Sequence, residues 1–284
     1  MNKHYSSILS RLFGRLAASE FGAPAQPWIN RSYIKLMGRD MQAFEAPEHY
    51  PSLNALFTRA LVLNRTFDPA PHAIISPCDG RVSEAGYIRD GQAHQIKGMR
   101  YDTAALLGAE HAADIPRLEG GAYVNLYLSP SDYHRYHIPF DVQIDSVTHI
   151  PGKLYPVNFP LLRHKLNLFI ENERVVIAVR DAHGARHFMV LVGALNVGKM
   201  VVTFEPRIQT NANARFRQHY QYADPKHIKK GELFGWFEMG STIVMISEEG
   251  AVHYDVNIGQ KVHFGQTIGQ RTAATHSHAS DAHG

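Results

Sequence analysis

Apolar residues near the start of the chain recur at helical spacing. Tyr5, Ile8, Leu9, Leu12, Phe13 and Leu16 share one face, with Ser6, Ser7, Ser10, Arg11 and Arg15 opposite. The spacing predicts an amphipathic helix with cations on its polar side, which either lies in a membrane interface or docks on its own domain. A second apolar helix is predicted after Pro27, through Trp28, Ile29, Tyr33, Leu36 and Met37. A third starts at Ser52 as N-cap, with Leu53, Leu56, Phe57 and Leu61 on one face. From about Ile74 the pattern changes to short β-branched and aromatic runs divided by Gly, Pro, Asp and Asn, as in strands and turns. The clearest predicted strands are 123–128, 142–150, 174–179, 188–192, 199–204 and 242–246. Gly259, Val262, Gly265, Ile268 and Gly269 predict tight turns joining short barrel strands. The expected fold class is α+β, a helical N-terminal segment on a mostly antiparallel β sandwich or barrel. Residues 1–65 form the helical part, 66–272 the β-rich domain, and 273–284 a polar, disordered tail.

Composition narrows the function. A single cysteine, Cys78, excludes a disulfide scaffold and any multi-cysteine metal cluster. A net charge of +3 suits an anionic surface such as a bilayer without calling for nucleic acid. Arg11 and Arg15 interrupt the stretch where a secretory signal would be apolar, and no run approaches the roughly 20 apolar residues of a spanning helix. The expectation is a cytosolic protein that meets membranes only at their surface. Among the 18 histidines, His276, His278 and His283 fall in the tail and are read as belonging to a floppy segment, not a metal site.

Three segments carry chemistry. In Ser76-Pro77-Cys78-Asp79-Gly80, Pro and Gly around an aspartate make a turn by default. The functional reading has Asp79 orienting a histidine, as the acid of a triad does. Cys78 is read as a small packed residue rather than a nucleophile. The second segment is Ser129-Pro130-Ser131-Asp132-Tyr133-His134-Arg135-Tyr136-His137-Ile138-Pro139. Its two histidines lack the further ligands that would complete a metal site, so no metal is expected, and acid–base work suits them better. The third is Phe237-Glu238-Met239-Gly240-Ser241-Thr242. It is a hairpin turn by default, but Gly240 permits a strained backbone on which Ser241 Oγ reaches the preceding carbonyl carbon. With a base near, such a hydroxyl cleaves its own chain.

Together these segments resemble the phosphatidylserine decarboxylase family in its shorter bacterial, membrane-associated form, over residues 52–269. The resemblance begins with Asp-Pro-x-Pro-x-Ala leading into Ser-Pro-x-Asp-Gly, here at 68–80, and continues through Ile96-Lys97-Gly98, Tyr101 and Leu106-Leu107-Gly108. Its most specific stretch is Tyr127-Leu128-Ser129-Pro130 with Asp132-Tyr133-His134-Arg135 and His137-x-Pro139. Asn172-Glu173-Arg174-Val175, Val192-Gly193-Ala194 and Asn196-Val197-Gly198 follow, then Lys230-Gly231-Glu232, Gly235-x-Phe237 and Gly240-Ser241-Thr242. The residue before Gly240 is often Leu in the family and is Met239 here, an apolar exchange that leaves the assignment intact.

The resemblance implies a proenzyme that cuts itself between Gly240 and Ser241, leaving chains 1–240 and 241–284. His137, oriented by Asp79, would deprotonate Ser241 Oγ, which attacks the Gly240 carbonyl to give an ester. Loss of the Ser241 Cα proton expels the Gly240 carboxylate and leaves dehydroalanine. Hydrolysis then releases ammonia and leaves a pyruvoyl group, the implied cofactor. A Schiff base between its ketone and phosphatidylserine provides the electron sink for CO2 loss, giving phosphatidylethanolamine. His134 is the implied proton donor to the carbanion, on the spacing argument that a turn over 134–137 brings both rings to one side. The resemblance also implies a homodimer of the cut pair, peripheral on the cytoplasmic face of the cell membrane; the helix from Tyr5 to Leu16, with Arg11 and Arg15, is expected to do part of the docking there.

Three other readings stay open. A serine hydrolase with Asp79, His137 and Ser241 would act on an external substrate, but no Gly-x-Ser-x-Gly elbow surrounds Ser241. A biotinyl- or lipoyl-like carrier would share the turns of 259–269, but Lys199-Met200 has no Met before the lysine. A pyruvoyl decarboxylase acting on a soluble amino acid is separated only by a lipid assay.

Overall fold

The computed structural model describes residues 14, 16–38, 40–96, 99–155, 167–194, 199–211, 216–238 and 241–272. The first predicted helix falls largely outside them, as do Lys97, Gly98, Asn196, Val197, Gly198, Met239, Gly240 and the tail after residue 272; residues 16–18, at the end of that helix, are helical.

Helix α1, Ala25–Met37, stops at Gly38, whose φ of 58° takes the left-handed turn that ends many helices. Its inward face is not the apolar one. Gln26 and Asn30 are its buried residues, while Trp28 is 71% and Leu36 78% exposed. Hydrogen bonding explains the inversion. Asn30 Nδ2 donates to the carbonyls of Pro47 and Tyr50 at 2.8 and 2.9 Å, and Gln26 Nε2 donates to Asn30 Oδ1 at 2.8 Å. These amides satisfy carbonyls of the turn at 47–50, groups that burial would otherwise leave unpaired at a cost of about 1–3 kcal/mol each. Helix α2, Leu53–Phe57, begins at Ser52, whose Oγ accepts from the Ala55 N–H at 3.1 Å, a cap worth about 1 kcal/mol. It buries Leu56 and Phe57 and ends before Leu61.

The β region starts with β1 Ala73–Ile75, β2 Gly80–Tyr87, β3 Gln92–Ile96, β4 Met99–Asp102, β5 Ala122–Leu128 and β6 Arg135–His137. Next come β7 Val142–Ile150, β8 Arg174–Arg180, β9 Arg186–Val192, β10 Met200–Val202 and β11 Gln218–Ile228. The last are β12 Leu233–Phe237, β13 Ser241–Ser247, β14 Val252–Tyr254, β15 Lys261–Val262 and β16 Thr267–Arg271. The large sheet runs β11-β7-β8-β9-β13-β5-β2-β15, with smaller sheets β1-β16-β14, β10-β12-β6 and β3-β4, and the strands pair antiparallel throughout. The fold is α+β, and its large sheet is open, not closed into a barrel.

Both faces of that sheet are covered, which explains near-continuous apolar runs such as Arg174–Arg180 where one solvated face would demand alternation. Leu126, Ile177, Leu191 and Ile243 point into a core shared with Ile74 of β1, Tyr136 of β6 and Phe234 of β12. Val176, Val190, Val244 and Ile246 point the other way, against Leu106, Leu107, Leu168 and Phe169 of two short helices. At Gly235 in β12 the neighbouring strands come so close that a Cβ would strike the Val201 carbonyl and the Tyr136 ring. That gap lets Tyr136 Oη reach the Val201 carbonyl at 2.5 Å, tying β6 to β10 across β12. A third cluster, Ile75, Tyr133 and Phe264 with Phe44, Leu61 and Phe67, joins the N-terminal segment to the β region. Among the described residues no helix is long and apolar enough to cross a membrane.

Candidate active site

The three chemically suggestive segments meet at one end of the large sheet. β2 begins at Gly80 directly after Asp79, β5 ends at Leu128 directly before the 129–134 loop, and β13 begins at Ser241. The ladder sets Ser241 opposite Leu128 and Arg81 opposite Tyr127. A Cβ at Gly80 would lie 2.7 Å from the Tyr127 carbonyl, so the glycine after Asp79 serves close strand approach as well as the turn. β6 is drawn to the same place by the His137 N–H, which donates to the Pro77 carbonyl at 2.8 Å.

His137 is 5% exposed. Its Nδ1 lies 2.9 Å from the Gly231 carbonyl, which can only accept, so the ring carries its proton there and presents a lone pair at Nε2. The Tyr133 hydroxyl donates to that lone pair at 3.0 Å, and the Phe264 ring stacks on the imidazole with centroids 3.6 Å apart. Burial lowers the His137 pKa to about 4, with the Gly231 bond opposing and the charges of Arg135 and Arg65 adding to the depression. Burial also raises the Tyr133 phenol to about 12, which keeps it a donor at neutral pH.

The hydrogen bond expected between Asp79 and His137 is not made. Both ring nitrogens of His137 are engaged elsewhere, and Asp79 is gripped by Arg65, Nη1 to Oδ1 and Nη2 to Oδ2 at 3.1 Å. A bidentate, charge-assisted guanidinium pair outcompetes a neutral imidazole. Asp79 Oδ1 also accepts from the Phe264 N–H at 2.8 Å, and His263 Nδ1 lies 3.4 Å from Oδ2. The carboxylate therefore acts on His137 at one remove: it anchors residue 264, whose ring packs on the imidazole.

The turn expected over 134–137 is absent as well, since 135–137 is the extended strand β6. The two rings have different neighbours. His134 is fully buried against Phe57 of α2, centroids 4.0 Å apart, and its Nδ1–H donates to the Asp132 carbonyl at 2.8 Å. Extended backbone alternates its faces every residue, so a spacing of three separates side chains that a helical turn would bring together. Cys78 is a packed core residue, its thiol pKa pushed up by burial. Glu238, directly after β12, is hydrogen-bonded by Asn54 of α2, and burial raises its pKa. Beside this end of the sheet lies a cavity of about 170 Å³ lined by Gly80, Arg81, Tyr127, Ser129, Ser131, Asp132 and Lys261.

Several residues around the site went unassigned in the sequence reading. Tyr133 and Gly231 stand inside Asp132-Tyr133-His134-Arg135 and Lys230-Gly231-Glu232, so the sequence carries a signal for them. Arg65 falls in a stretch with no distinctive pattern and Phe264 among the turns of 259–269, and only the fold brings them to Asp79.

Residues 53–270 match the family model described as phosphatidylserine decarboxylase. A Helicobacter pylori protein named phosphatidylserine decarboxylase proenzyme is 46% identical over 266 residues, covering 93% of this chain and 97% of its own. Proteins of the same name from Campylobacter jejuni and Marinobacter nauticus are 42% and 36% identical, covering 93% and 92% of this chain and 98% and 93% of theirs. A decarboxylase scaffold is thus shared over nearly the full length of both partners. The chain belongs to the phosphatidylserine decarboxylase family.

Proposed function

We propose that this protein decarboxylates phosphatidylserine to phosphatidylethanolamine at a membrane surface, after cutting itself between Gly240 and Ser241. The observation that carries the reading is the convergence of Asp79, His137 and the Ser241 end of β13 at one end of the sheet, in a chain whose relatives are named as proenzymes. In the processing step the Ser241 hydroxyl proton passes to His137 Nε2, the Ser241 oxygen bonds to the Gly240 carbonyl carbon, and the 240–241 peptide bond breaks as the proton moves on to the Ser241 nitrogen. Loss of the Ser241 Cα proton then expels the Gly240 carboxylate and parts the chains. Tyr133 holds that lone pair at rest, so its hydroxyl must yield the position as the proton arrives. Asp79 is a positioning residue in this scheme, working through Phe264 and Arg65.

The site fits a pyruvoyl group derived from Ser241. As the first residue of a strand held between two neighbours, residue 241 stays in place once the bond before it is gone. The ketone supplies the electron sink that lets a carboxylate leave as CO2. His134, its Nδ1–H fixed on the Asp132 carbonyl, is the residue proposed to return a proton to the substrate carbon, delivered from Nε2 after that nitrogen has itself taken one up.

Intact mass under denaturing conditions, with CO2 release from phosphatidylserine vesicles, tests the reading. Two chains parting after Gly240 are expected, the smaller lighter by one ammonia than a Ser-initiated fragment. A folded protein of full, uncut mass would sink it.

The surface at the N-terminal side supports membrane contact. Leu16, Phe21, Trp28, Leu36, Val62 and Leu63 are each about half or more exposed, and α1 turns its apolar side outward. Inserting a large apolar side chain into lipid is worth roughly 1.5–3 kcal/mol. The pair Trp28→Glu and Leu36→Glu is accordingly expected to reduce vesicle co-flotation by at least about tenfold. Undiminished flotation would place the docking surface elsewhere.

A further inference from the structure

We infer that the cavity between α2 and Arg135 recognises the phosphodiester of a phospholipid headgroup, gripped by the guanidinium groups of Arg59 and Arg135. The inference rests on the decarboxylase reading above and adds to it the part of the substrate that no reacting group touches.

The cavity measures about 480 Å³, within the usual range for small-molecule sites, and Glu45, Tyr50, Thr58, Arg59, Val62 and Arg135 are in its wall. Arg59 is 3% exposed, an unusual burial for a cation. Its Nη2 donates to the Ser131 and Asp132 carbonyls at 3.3 and 3.5 Å, and its guanidinium lies 4.3 Å from the centre of the Phe44 ring. Arg135 donates from Nε to the Thr58 carbonyl at 2.8 Å and lies 5.7 Å from the Trp236 ring centre. Both planar forks are thus fixed by carbonyls and aromatic faces, the preorganisation that suits arginine to phosphate oxygens. Tyr50, in the same wall, feels the charges of both cations and, opposing them, that of Glu45.

The position fits the reaction. The Asp132 carbonyl that accepts from Arg59 also accepts from His134 Nδ1, and Arg135 follows His134 in the chain. An anion held here lies against the same loop that carries the proposed proton donor. Val62 in the same wall is 53% exposed and Leu63, next in the chain, 81%, apolar groups suited to the glycerol and acyl end of a lipid. Glu45 in the wall favours a singly charged diester over a free phosphate dianion, which its carboxylate would repel more strongly.

The test uses the full-length enzyme with Arg59→Gln and Arg135→Gln, and chain cutting on a gel as the sign of an intact fold. Steady-state decarboxylation is then measured on phosphatidylserine in mixed micelles. Cut variants should show KM raised by at least about tenfold with kcat changed less than about threefold, the pattern of lost ground-state binding. Glycerophosphoserine, the headgroup diester without acyl chains, should compete against the wild-type enzyme at millimolar concentration and fail to compete against the variants. If a Gln variant stays uncut, Arg59→Lys and Arg135→Lys keep the charge, lose the fork and carry the same KM expectation. An unchanged KM in cut variants, or no competition by glycerophosphoserine in the wild type, overturns the inference. Inorganic phosphate competing as well as the diester would assign the cavity to a free anion and overturn it too. A wild-type enzyme that releases no CO2 from phosphatidylserine would instead strike the decarboxylase reading itself.

Discussion

Ser241→Ala is expected to accumulate as one uncut chain that releases no CO2 from phosphatidylserine. The substitution removes the oxygen that must bond to the Gly240 carbonyl carbon, and with it the atom from which the pyruvoyl ketone is built. Alanine supplies neither, so activity should drop to the blank. Enzyme accelerations begin at roughly 10⁶-fold, so the loss is of that order or greater. The fold should survive. Residue 241 is held in the sheet by main-chain pairing with Leu128, which an alanine keeps, and the core beneath is made by Leu126, Ile243 and their neighbours. Mass spectrometry and a melting curve on one sample separate the cases. A cut Ser241→Ala chain, or one that still releases CO2, would remove Ser241 from its proposed role.

The second large effect is a contrast between two histidines. His137→Ala should also remain uncut, since Nε2 of His137 carries the lone pair proposed to receive the Ser241 proton. His134→Ala should cut normally yet decarboxylate on the order of 100-fold more slowly, the usual worth of a positioned general acid. A His134→Ala enzyme with full activity, or one that cannot cut, would overturn the division of labour. The pH dependence follows from burial. With a pKa of about 4, His137 is neutral and able to accept a proton throughout the physiological range. Cutting should therefore be flat between pH 6 and 8 and fall only as pH approaches about 4. Stability has a wider window. His137 and His111 both drop from 6.5 to about 4 on folding, so between those values the unfolded chain binds more protons than the folded one. Their contribution is complete above about pH 6.5 and is lost as pH falls toward 4. Melting curves across this interval show how much of any acid loss of rate is unfolding.

The strands were the most legible part of the sequence. The run 142–150 coincides with β7, and β5, β8, β9 and β13 differ from expectation by two residues or fewer at either end. Apolar β-branched runs bounded by turn residues leave a short chain few other ways to bury itself. The helices were legible as helices but not in their orientation. Periodicity identified the apolar side of α1, and the ordinary assumption would bury it. The Asn30 and Gln26 hydrogen bonds, invisible to a hydropathy pattern, set the opposite face inward. The site residues came from motif resemblance, and their wiring did not follow. Asp79 could be placed near a histidine by analogy with a triad, but only the fold shows Arg65 occupying it from a part of the chain read as helical. The spacing of His134 and His137 was read with helical geometry where the backbone is extended.

β13 lies in the interior of the large sheet, between β5 and β9; after it β14 and β16 join β1 in a second sheet, while β15 returns to the edge of the large one. If the chain is cut as proposed, the fragment from residue 241 onward is woven through the molecule rather than resting on it. No dilution can separate the two pieces, because dissociation would require dismantling the core on both sides of the strand. Denaturation is another matter. The precursor returns to its fold as one chain, whereas the cut protein must reassemble from two, and a keto-capped end has no amine with which to restore the peptide bond. Maturation then works as a ratchet: the structure is reached while the polypeptide is continuous, and the finished enzyme keeps a shape that it is poorly equipped to find again.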